Sequence, residues 1–232
     1  MRNIFFGALC ILSMVAVAAT VHVDVAKDKA GSEPASFLGV VGNWVVAQDG
    51  GKNVLMVDGR QWKKGQPAGG LASKARLIYG SRHEEFIDNV KAFAYFPYTV
   101  AQEIPDFQNG EISMRFKLID GQLDQCAGIL FNLKTNGDYL TVRANPLENN
   151  LVLWKFERGK RSSVKWIRDT PTPTRQWHEL KIRVAGTKVE GYLNKKLYLE
   201  HTLPQPVSGR IGLWSKADSH MYFADYSVTP SD

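Results

Sequence analysis

The chain has 232 residues, of which 44% are hydrophobic, so it is long enough for one domain with a sizeable core or for two small ones. The formal net charge is +6, from 29 Lys and Arg residues against 23 Asp and Glu residues, and the basic residues are scattered rather than clustered. This distribution predicts a weak attraction to anionic surfaces, and it argues against a protein that binds nucleic acid.

The first 19 residues have the pattern of a secretory signal peptide. Arg2 supplies a positive start, residues 4–17 are apolar, and residues 16–18 read Ala-Val-Ala, a small-x-small cleavage signal. The apolar run is short for a membrane-spanning helix and a polar segment follows it, so we prefer cleavage to an uncleaved anchor. We expect cleavage after Ala18 or Ala19, a secreted or periplasmic protein, and no transmembrane segment after the signal is removed.

Loss of the signal peptide would also remove Cys10, which leaves Cys126 as the single cysteine of the mature chain. No intrachain disulfide is then possible, although the compartment is oxidising. Cys126 begins the apolar run CAGILFNL, which is typical of a strand. We therefore interpret Cys126 as a buried, unreactive thiol rather than a nucleophile.

Residues 20–36 are interpreted as a flexible leader, and residues 37–232 as one domain. Runs with alternating apolar and polar residues follow one another, separated by Gly, Asn, Asp or Pro, which is the pattern of β-strands. The clearest run, GEISMRFKLIDG, turns four apolar side chains to one face: Ile112, Met114, Phe116 and Leu118. Hairpin or meander turns are predicted at Asn136-Gly137, Arg158-Gly159-Lys160, Ala185-Gly186-Thr187 and Asn194-Lys195.

One segment has a helical pattern instead. In SRHEEFIDNVKAF, Ser81 and Glu84 have capping-box spacing, and the apolar residues Phe86, Ile87 and Val90 recur at helical spacing. This pattern predicts a short helix or an ordered loop. About a dozen strands with at most one short helix predict an all-β protein, an antiparallel two-sheet jelly-roll sandwich.

Residues 110–228 resemble the concanavalin A-like lectin/glucanase superfamily. The residues that carry the resemblance are GILFNLKTNGDYLTVRANPLENNLVLWKFERGKR, RQWHELKIRVAGTKVEGYLN and SGRIGLWSKADSHMYFADYSV. Within the superfamily they look most like the secreted bacterial 3-keto-disaccharide hydrolase domain, formerly a domain of unknown function. The resemblance implies a concanavalin A-like fold of two antiparallel sheets, one convex and one concave, with any ligand groove on the concave face.

Glucanases of the superfamily carry paired carboxylates in a Glu-x-Asp-x-x-Glu strand, where an acid and a nucleophile flank the glycosidic bond. The chain contains no such motif; Glu84, Glu85 and Asp88 have the wrong spacing and lie in the predicted helix. A conventional retaining glycosidase is therefore disfavoured. If the protein is an enzyme, the resemblance implies cleavage of a 3-keto glycoside, in which the C3 carbonyl acidifies the C2 proton and one base drives elimination.

A row of polar side chains in YLTVRANPLENN is the main candidate for a ligand site. Alternation places four polar side chains on one face of the strand: Tyr139, Thr141, Arg143 and Asn145. The opposite face carries Leu140, Val142 and Ala144. Rings can stack on a sugar, while Arg and Asn bond its hydroxyl groups. Neighbouring strands could add Arg115, Asn132 and Lys155. The alternative is a solvated outer face with incidental polar residues.

Glu148 is the only carboxylate next to this row, which makes it a candidate catalytic base. A salt bridge to Arg143 or to a lysine is the competing interpretation. In IGLWSKADS, Trp214 is interpreted as packing at a strand end in preference to a sugar platform, and Lys216 projects at the corner. Both stay candidates for ligand binding.

Asp218 and Ser219 are expected to hydrogen-bond the backbone of their own turn. Asp225 is a candidate calcium ligand, because related glucanases carry an Asp in the last strand near a structural calcium. One Asp does not make a calcium site, since calcium takes several oxygen ligands. A structural calcium is the one cofactor that the sequence raises, because His83 and His178 have no partner at the spacing of a zinc site.

Three functional hypotheses follow from these patterns. The first is a secreted, carbohydrate-associated β-sandwich that binds or cleaves a saccharide or glycoside in its concave groove. The second is a non-catalytic, lectin-like carbohydrate-binding module. The third is a structural or adhesive protein of the envelope, which buries the same face against a partner. An unpaired base in a deep groove would favour the enzyme. A shallow aromatic face would favour the lectin-like module, and an exposed apolar patch would favour the envelope protein that binds a partner.

Overall fold

The computed structural model describes residues 19–61, 66–92 and 94–231. The predicted signal peptide, apart from Ala19, lies outside the described residues. Within these three ranges, no helix has the length and apolar character needed to span a membrane.

The described residues form fifteen β-strands and two α-helices. The strands are β1 (Val21–Val23), β2 (Phe37–Val41), β3 (Trp44–Asp49), β4 (Lys52–Asp58), β5 (Tyr98–Ala101), β6 (Gly110–Asp120), β7 (Ala127–Leu133), β8 (Tyr139–Asn145), β9 (Asn150–Glu157), β10 (Lys160–Arg168), β11 (Trp177–Ala185), β12 (Lys188–Leu193), β13 (Lys196–Thr202), β14 (Arg210–Trp214) and β15 (His220–Pro230). The helices α1 (Leu71–Tyr79) and α2 (His83–Ala92) lie between β4 and β5, with 3₁₀ turns at Gly59–Gln61 and Gly80–Arg82.

The strands form two antiparallel sheets that pack face to face. The eight-stranded sheet has the order β13-β12-β11-β6-β15-β4-β3, with β1 paired to β15. The seven-stranded sheet has the order β10-β9-β8-β7-β14-β5-β2. Strands that are distant in sequence, such as β7 and β14, lie side by side, so the chain crosses repeatedly from one sheet to the other. This arrangement confirms the predicted all-β, two-sheet jelly-roll sandwich.

The four turns predicted from the sequence each join two consecutive strands. They connect β7 to β8, β9 to β10, β11 to β12, and β12 to β13. Each contains a residue with positive φ, a conformation that glycine and asparagine adopt at low cost: Gly137 (82°), Gly159 (73°), Gly186 (59°) and Asn194 (49°).

Two apolar cores stabilise the fold. The first fills the space between the sheets, and β6 contributes the four side chains predicted for one of its faces: Ile112, Met114, Phe116 and Leu118. The second lies on the outer face of the seven-stranded sheet, beneath α1, α2 and the segment that follows α2. Its helical side includes Ala75, Ile78, Phe86, Val90 and Phe96. Part of this sheet's outer face is therefore covered by a helical layer.

The helical segment is longer than the sequence predicts. The predicted helix corresponds to α2, in which Phe86 is buried, but α1 adds a second helix before it. Gly70 precedes α1 with a φ of 71°, and no side chain caps this helix. Only Ala75 and Ile78 of α1 are buried, so the apolar pattern of α1 is weak in the sequence. Packing on the sheet, rather than a capping signal, stabilises α1.

Part of the predicted leader contributes to the sandwich. β1 pairs with β15, and Val23 and Val25 are buried in the core between the sheets. Asn53 Nδ2 donates to the carbonyl oxygens of Val25 at 3.2 Å and of Asp28 at 2.7 Å. These contacts hold residues 21–28 on the fold, so the expectation of a loosely held segment is corrected there. They depend on Asn53, which is remote in sequence from this segment.

Candidate functional site

The outer face of the seven-stranded sheet carries the predicted polar row. Leu140, Val142 and Ala144 lie in the core between the sheets, which confirms the predicted alternation along β8. The row itself is not open to water, because Arg143 is 1% exposed and Tyr139 is 2% exposed. The expectation of a solvated groove at these side chains is wrong, since the helical layer and neighbouring rings cover them.

Tyr139 and Trp214 belong to the second core. Tyr139 stacks on Phe156 with ring centroids 4.2 Å apart, and its hydroxyl accepts a hydrogen bond from Trp214 Nε1 at 3.2 Å. The Trp214 ring stacks on Phe96, from the segment after α2, at 5.7 Å. Burial raises the pKa of Tyr139 above its usual range. These contacts give both rings a packing role, which is the interpretation preferred for Trp214 from the sequence.

A cluster of polar side chains lies at the other end of β8. We call it the polar corner, and it consists of Asp124, Arg143, Asn145, Glu148, Asn150 and Lys216. Four of the predicted site residues meet there. Asp124 is its buried centre: Asp124 Oδ1 accepts from Asn145 Nδ2 at 2.7 Å, and Oδ2 pairs with Lys216 Nζ.

Arg143 is held on two sides within the polar corner. Its Nη2 donates to Glu148 Oε2 at 2.9 Å, and its Nη1 donates to Asn150 Oδ1. Asn150 Nδ2 also donates to Glu148 Oε2, at 2.9 Å. Arg143 Nε, by contrast, is buried and has no hydrogen-bond partner among the described residues. An unpaired buried donor costs free energy, and this nitrogen has almost no accessible surface of its own.

The surroundings of Glu148 make it a weak base. Burial would raise its pKa, but hydrogen bonds from Asn150 and Arg143, and the charges of Arg143 and Lys216, hold the pKa below its usual range. Asn145 positions the residue, since Asn145 Oδ1 accepts from the Glu148 N–H at 3.3 Å. The Glu148 side chain is 42% exposed and forms the salt bridge to Arg143 that was the competing interpretation. This arrangement suits ligand binding better than general base catalysis, which needs a pKa nearer neutrality.

Three residues that sequence reasoning did not select form a rim beside the polar corner. Trp166 is 40% exposed, and its ring meets that of Trp154 edge-on at 5.5 Å. The Arg161 guanidinium lies 4.3 Å from the Trp154 ring centroid, and the Arg143 guanidinium lies 5.8 Å from that of Trp166. Trp154 Nε1 is buried and has no partner among the residues described. We call Trp154, Arg161 and Trp166 the aromatic rim.

Alternation along β10 does not reveal the aromatic rim. Arg161 and Trp166 are five residues apart, which puts them on opposite faces of a regular strand. A β-bulge in the middle of β10 shifts its register on β9, so that Arg161 pairs with Phe156 and Trp166 with Val152 on the same face. The available signal was a tryptophan in the mostly polar run KRSSVKWIR.

Two other predicted ligand residues lie in a separate cleft. Asn132 and Lys155 line a cleft of about 450 Å³ near the β7–β8 turn, with Tyr139 in its wall. Both polar side chains have partners within the chain. Asn132 Oδ1 accepts from the Ser208 N–H at 3.0 Å, and Lys155 Nζ pairs with Glu157 at 3.0 Å.

Arg115 and Asp225 lie on the eight-stranded sheet, away from the polar corner. Arg115 Nη1 pairs with Asp225 Oδ2 at 3.2 Å, and the same guanidinium lies 5.1 Å from the Trp177 ring centroid. Calcium needs several oxygen ligands, and the described ranges contain no group of three or more His, Cys, Asp or Glu residues that could hold a metal ion. With a guanidinium as its partner, Asp225 does not fit the expected calcium site.

Cys126 is a free, buried cysteine, as predicted, and it contacts the polar corner. Its Sγ donates to Asp124 Oδ1 at 2.8 Å. Burial raises the pKa of the thiol well above its usual value. The reactive thiolate is therefore disfavoured, which agrees with an unreactive structural residue.

The corner that follows β14 closes the sandwich. The Asp218 carboxylate accepts hydrogen bonds from the backbone N–H groups of residues 122–124, at 2.7 to 3.0 Å. The Ser219 hydroxyl donates to the Lys216 carbonyl oxygen, as expected for its own turn. Asp218 binds a different loop from the one expected, and that loop carries Asp124 of the polar corner. Through these hydrogen bonds, the corner after β14 holds the loop that carries Asp124 in place.

No protein-family model matches the chain, and no curated protein matches it either. Among solved structures, the chain is similar to the carbohydrate binding module CBM66 from Bacillus subtilis, with 14% identity, coverage of 84% of this chain and 96% of that chain, and a TM-score of 0.59. It is also similar to a protein of unknown function with a galectin-like fold from Bacillus subtilis, with 14% identity, coverage of 94% and 98%, and a TM-score of 0.57. The apo Crh5 transglycosylase is a third, with 13% identity, coverage of 94% and 87%, and a TM-score of 0.54. At these identities the likeness concerns the fold alone: the protein has a concanavalin A-like, galectin-like β-sandwich.

Proposed function

We propose that the protein is a non-catalytic, lectin-like carbohydrate-binding module that holds a saccharide at the aromatic rim and the polar corner. The observation that carries the proposal is Trp166, an exposed ring next to the Arg143 guanidinium on a sheet face that helices cover in part. An aromatic ring packs against the apolar face of a sugar, while charged side chains bond hydroxyl groups in fixed geometry.

The polar corner supports this role because its side chains are already fixed. Glu148 is held by Arg143 and Asn150 yet stays 42% exposed, so it can accept hydrogen bonds from ligand hydroxyl groups. Arg143 Nε and Trp154 Nε1 lie next to the Trp166 ring, and neither has a partner among the described residues.

The solved structures with the same fold support the class of ligand. One is named a carbohydrate binding module and another a transglycosylase. At 14% identity these names transfer no residue roles, so the proposed site rests on the exposed ring and the fixed polar side chains of this chain.

A second candidate is cleavage of a 3-keto glycoside, the activity that the sequence resemblance implies. Glu148 favours it as the exposed carboxylate of the polar corner, because the elimination requires a single base. The lowered pKa of Glu148 opposes it, because a weaker base removes a carbon-bound proton more slowly. We therefore place binding above catalysis.

Glu148→Gln separates the two candidates. The mature protein is tested on a glycan array and, in parallel, for release of the aglycone from a 3-keto glucoside. The binding proposal predicts captured glycans, no release, and a modest change of affinity in Glu148→Gln. Release by the native protein that falls by roughly two to four orders of magnitude in Glu148→Gln, with binding kept, would establish the enzyme instead. Glu157→Gln, whose side chain is 53% exposed outside the polar corner, is the matched control.

We also propose that the protein is exported. Cleavage after Ala18 or Ala19 would leave every described strand intact, because β1 begins at Val21. Thr20 Oγ1 lies 2.8 Å from Thr229 Oγ1 of β15, so the mature chain would enter the eight-stranded sheet directly.

A further inference from the structure

Two arginines flank Trp166 on the outer face of β10, the strand that forms one edge of the seven-stranded sheet. In the pairing of β10 with β9, Arg161 lies opposite Phe156 and Arg168 lies opposite Asn150, with Trp166 between the two arginines. All three side chains of this row are exposed. The stretch of β9 from Asn150 to Phe156 spans about 20 Å. A row of charge, ring and charge therefore runs along this edge of the sheet.

The two arginines of β10 have no counter-ion within the described part of the chain. Neither of them forms a salt bridge with a described residue. The two carboxylates of the polar corner are engaged by other cations, because Glu148 pairs with Arg143. Asp124 in turn pairs with Lys216. The positive charge that β10 adds beside the polar corner is therefore in excess.

Arg161 is held by aromatic rings instead of a carboxylate. Its guanidinium lies 4.3 Å from the Trp154 ring centroid and 4.9 Å from that of Phe96. The Arg143 guanidinium lies 5.9 Å from the same Trp154 centroid, so two cations share one ring. Burial and the charge of Arg143 lower the pKa of Arg161. The rings hold the Arg161 guanidinium in place, yet its N–H groups have no hydrogen-bond partner among the described residues.

An anionic group is the ligand chemistry that these arginines lack. A guanidinium presents a rigid fork of donors, which matches the paired oxygens of an acidic group better than a single hydroxyl. Asp169 follows Arg168 in the chain, but it lies past the end of β10 and forms no salt bridge with a described residue either. Because the two arginines are about 20 Å apart along the strand, a ligand that meets both is a chain of several sugar units.

We propose that the saccharide held at the aromatic rim is acidic. Its carboxylate or sulfate groups pair with Arg161 and Arg168, and one of its rings packs on Trp166. This inference rests on the proposed function and names the class of its ligand. The chain has a formal net charge of +6, which favours the approach of an anionic polymer, and the two arginines give that attraction a defined place. The edge position of β10 leaves room for a sugar chain to lie along it.

The test is an array of neutral, uronate-containing and sulfated oligosaccharides. It includes oligogalacturonates beside their methyl esters, and sulfated galactans beside their unsulfated parents, so that each acidic member has a neutral counterpart. The mature protein is applied in a concentration series. We expect capture of the acidic members in preference, and the pair that responds identifies carboxylate or sulfate as the charged group. Arg161→Gln and Arg168→Gln should each weaken this capture by about tenfold through the loss of charge-assisted hydrogen bonds.

Arg183→Gln is the matched control for charge. Arg183 is 57% exposed on β11 of the eight-stranded sheet, so the variant removes the same charge from the opposite side of the sandwich. It should keep native capture. Arg168→Gln keeps the test decisive if Arg161→Gln is poorly folded, because Arg168 lies exposed at the end of β10.

Three results would overturn the inference. Capture of neutral members as well as acidic ones, unchanged in both β10 variants, would exclude the acidic ligand but keep the proposed binding of a saccharide. Equal losses in Arg168→Gln and Arg183→Gln would reduce the effect to the net charge of the chain. Capture of no member by the native protein would overturn the inference and the proposed function together.

Discussion

Asp218 connects the corner after β14 to the loop that precedes β7. Burial would raise its pKa, but the backbone N–H groups of Leu123, Gln122 and Asp124 outweigh burial and lower the pKa below its usual range. A carboxyl group with a lowered folded-state pKa contributes stability that is present above the unfolded-state pKa. That contribution is lost as the pH falls through the folded-state pKa.

We expect Asp218→Asn to lower the free energy of unfolding by about 1.5 to 3 kcal/mol at neutral pH, the scale of hydrogen bonds to a charged group. Urea unfolding of both proteins between about pH 7 and pH 2 measures the difference, which should shrink towards the acid end. Asp88→Asn is the matched control, because the Asp88 side chain is 81% exposed on α2. A difference that stays constant with pH would contradict this role of Asp218.

At the scale of elements, the helical layer over the seven-stranded sheet decides which part of the outer face is accessible. Phe86 of α2 is 0% exposed and meets Tyr79 of α1 edge-on at 4.9 Å. We expect Phe86→Ala to destabilise the protein by about 3 to 5 kcal/mol, since it leaves a large cavity in the second core. Chemical denaturation measures this loss.

Leu77→Ala is the control for the helical layer. Leu77 lies on α1 but is 74% exposed, so its truncation should change the free energy of unfolding by no more than about 0.5 kcal/mol. If Phe86→Ala were as mild as Leu77→Ala, the helices would not be packed on the sheet as described.

The strands, their faces and the turns between them could be predicted from the sequence, whereas the accessible part of the site could not. Alternation correctly put Tyr139 and Arg143 on the outer face, because that signal is local. What covers Tyr139 is α2 and the segment after it, more than forty residues earlier in the chain, and no local pattern reports such a contact. Trp166 escaped prediction because the bulge in β10 breaks the period of two.

At the scale of the whole molecule, the seven-stranded sheet separates the proposed saccharide site from the core between the sheets. The polar corner and aromatic rim lie on its outer face, and β1 adds Val23 to the core on its inner face. Cleavage of the signal peptide just before β1 would therefore set the first residues of the folded chain.

We expect mass spectrometry of the native protein to give an N-terminus at Ala19 or Thr20, because the small-x-small signal ends at Ala18. The extracellular or periplasmic fraction should contain this form. An intact chain that begins at Met1 and stays in the cytoplasm would contradict export.

Calorimetric titration of the mature protein with a glycan selected on the array tests most directly whether a saccharide binds at the aromatic rim. Trp166→Ala should weaken binding by on the order of tenfold through lost stacking, with an unchanged unfolding midpoint. Leu197→Ala is the matched control, because Leu197 is also 40% exposed but lies on β13 of the other sheet. We expect native affinity for Leu197→Ala and a clear loss for Trp166→Ala. Equal affinity of the native protein and Trp166→Ala would contradict it.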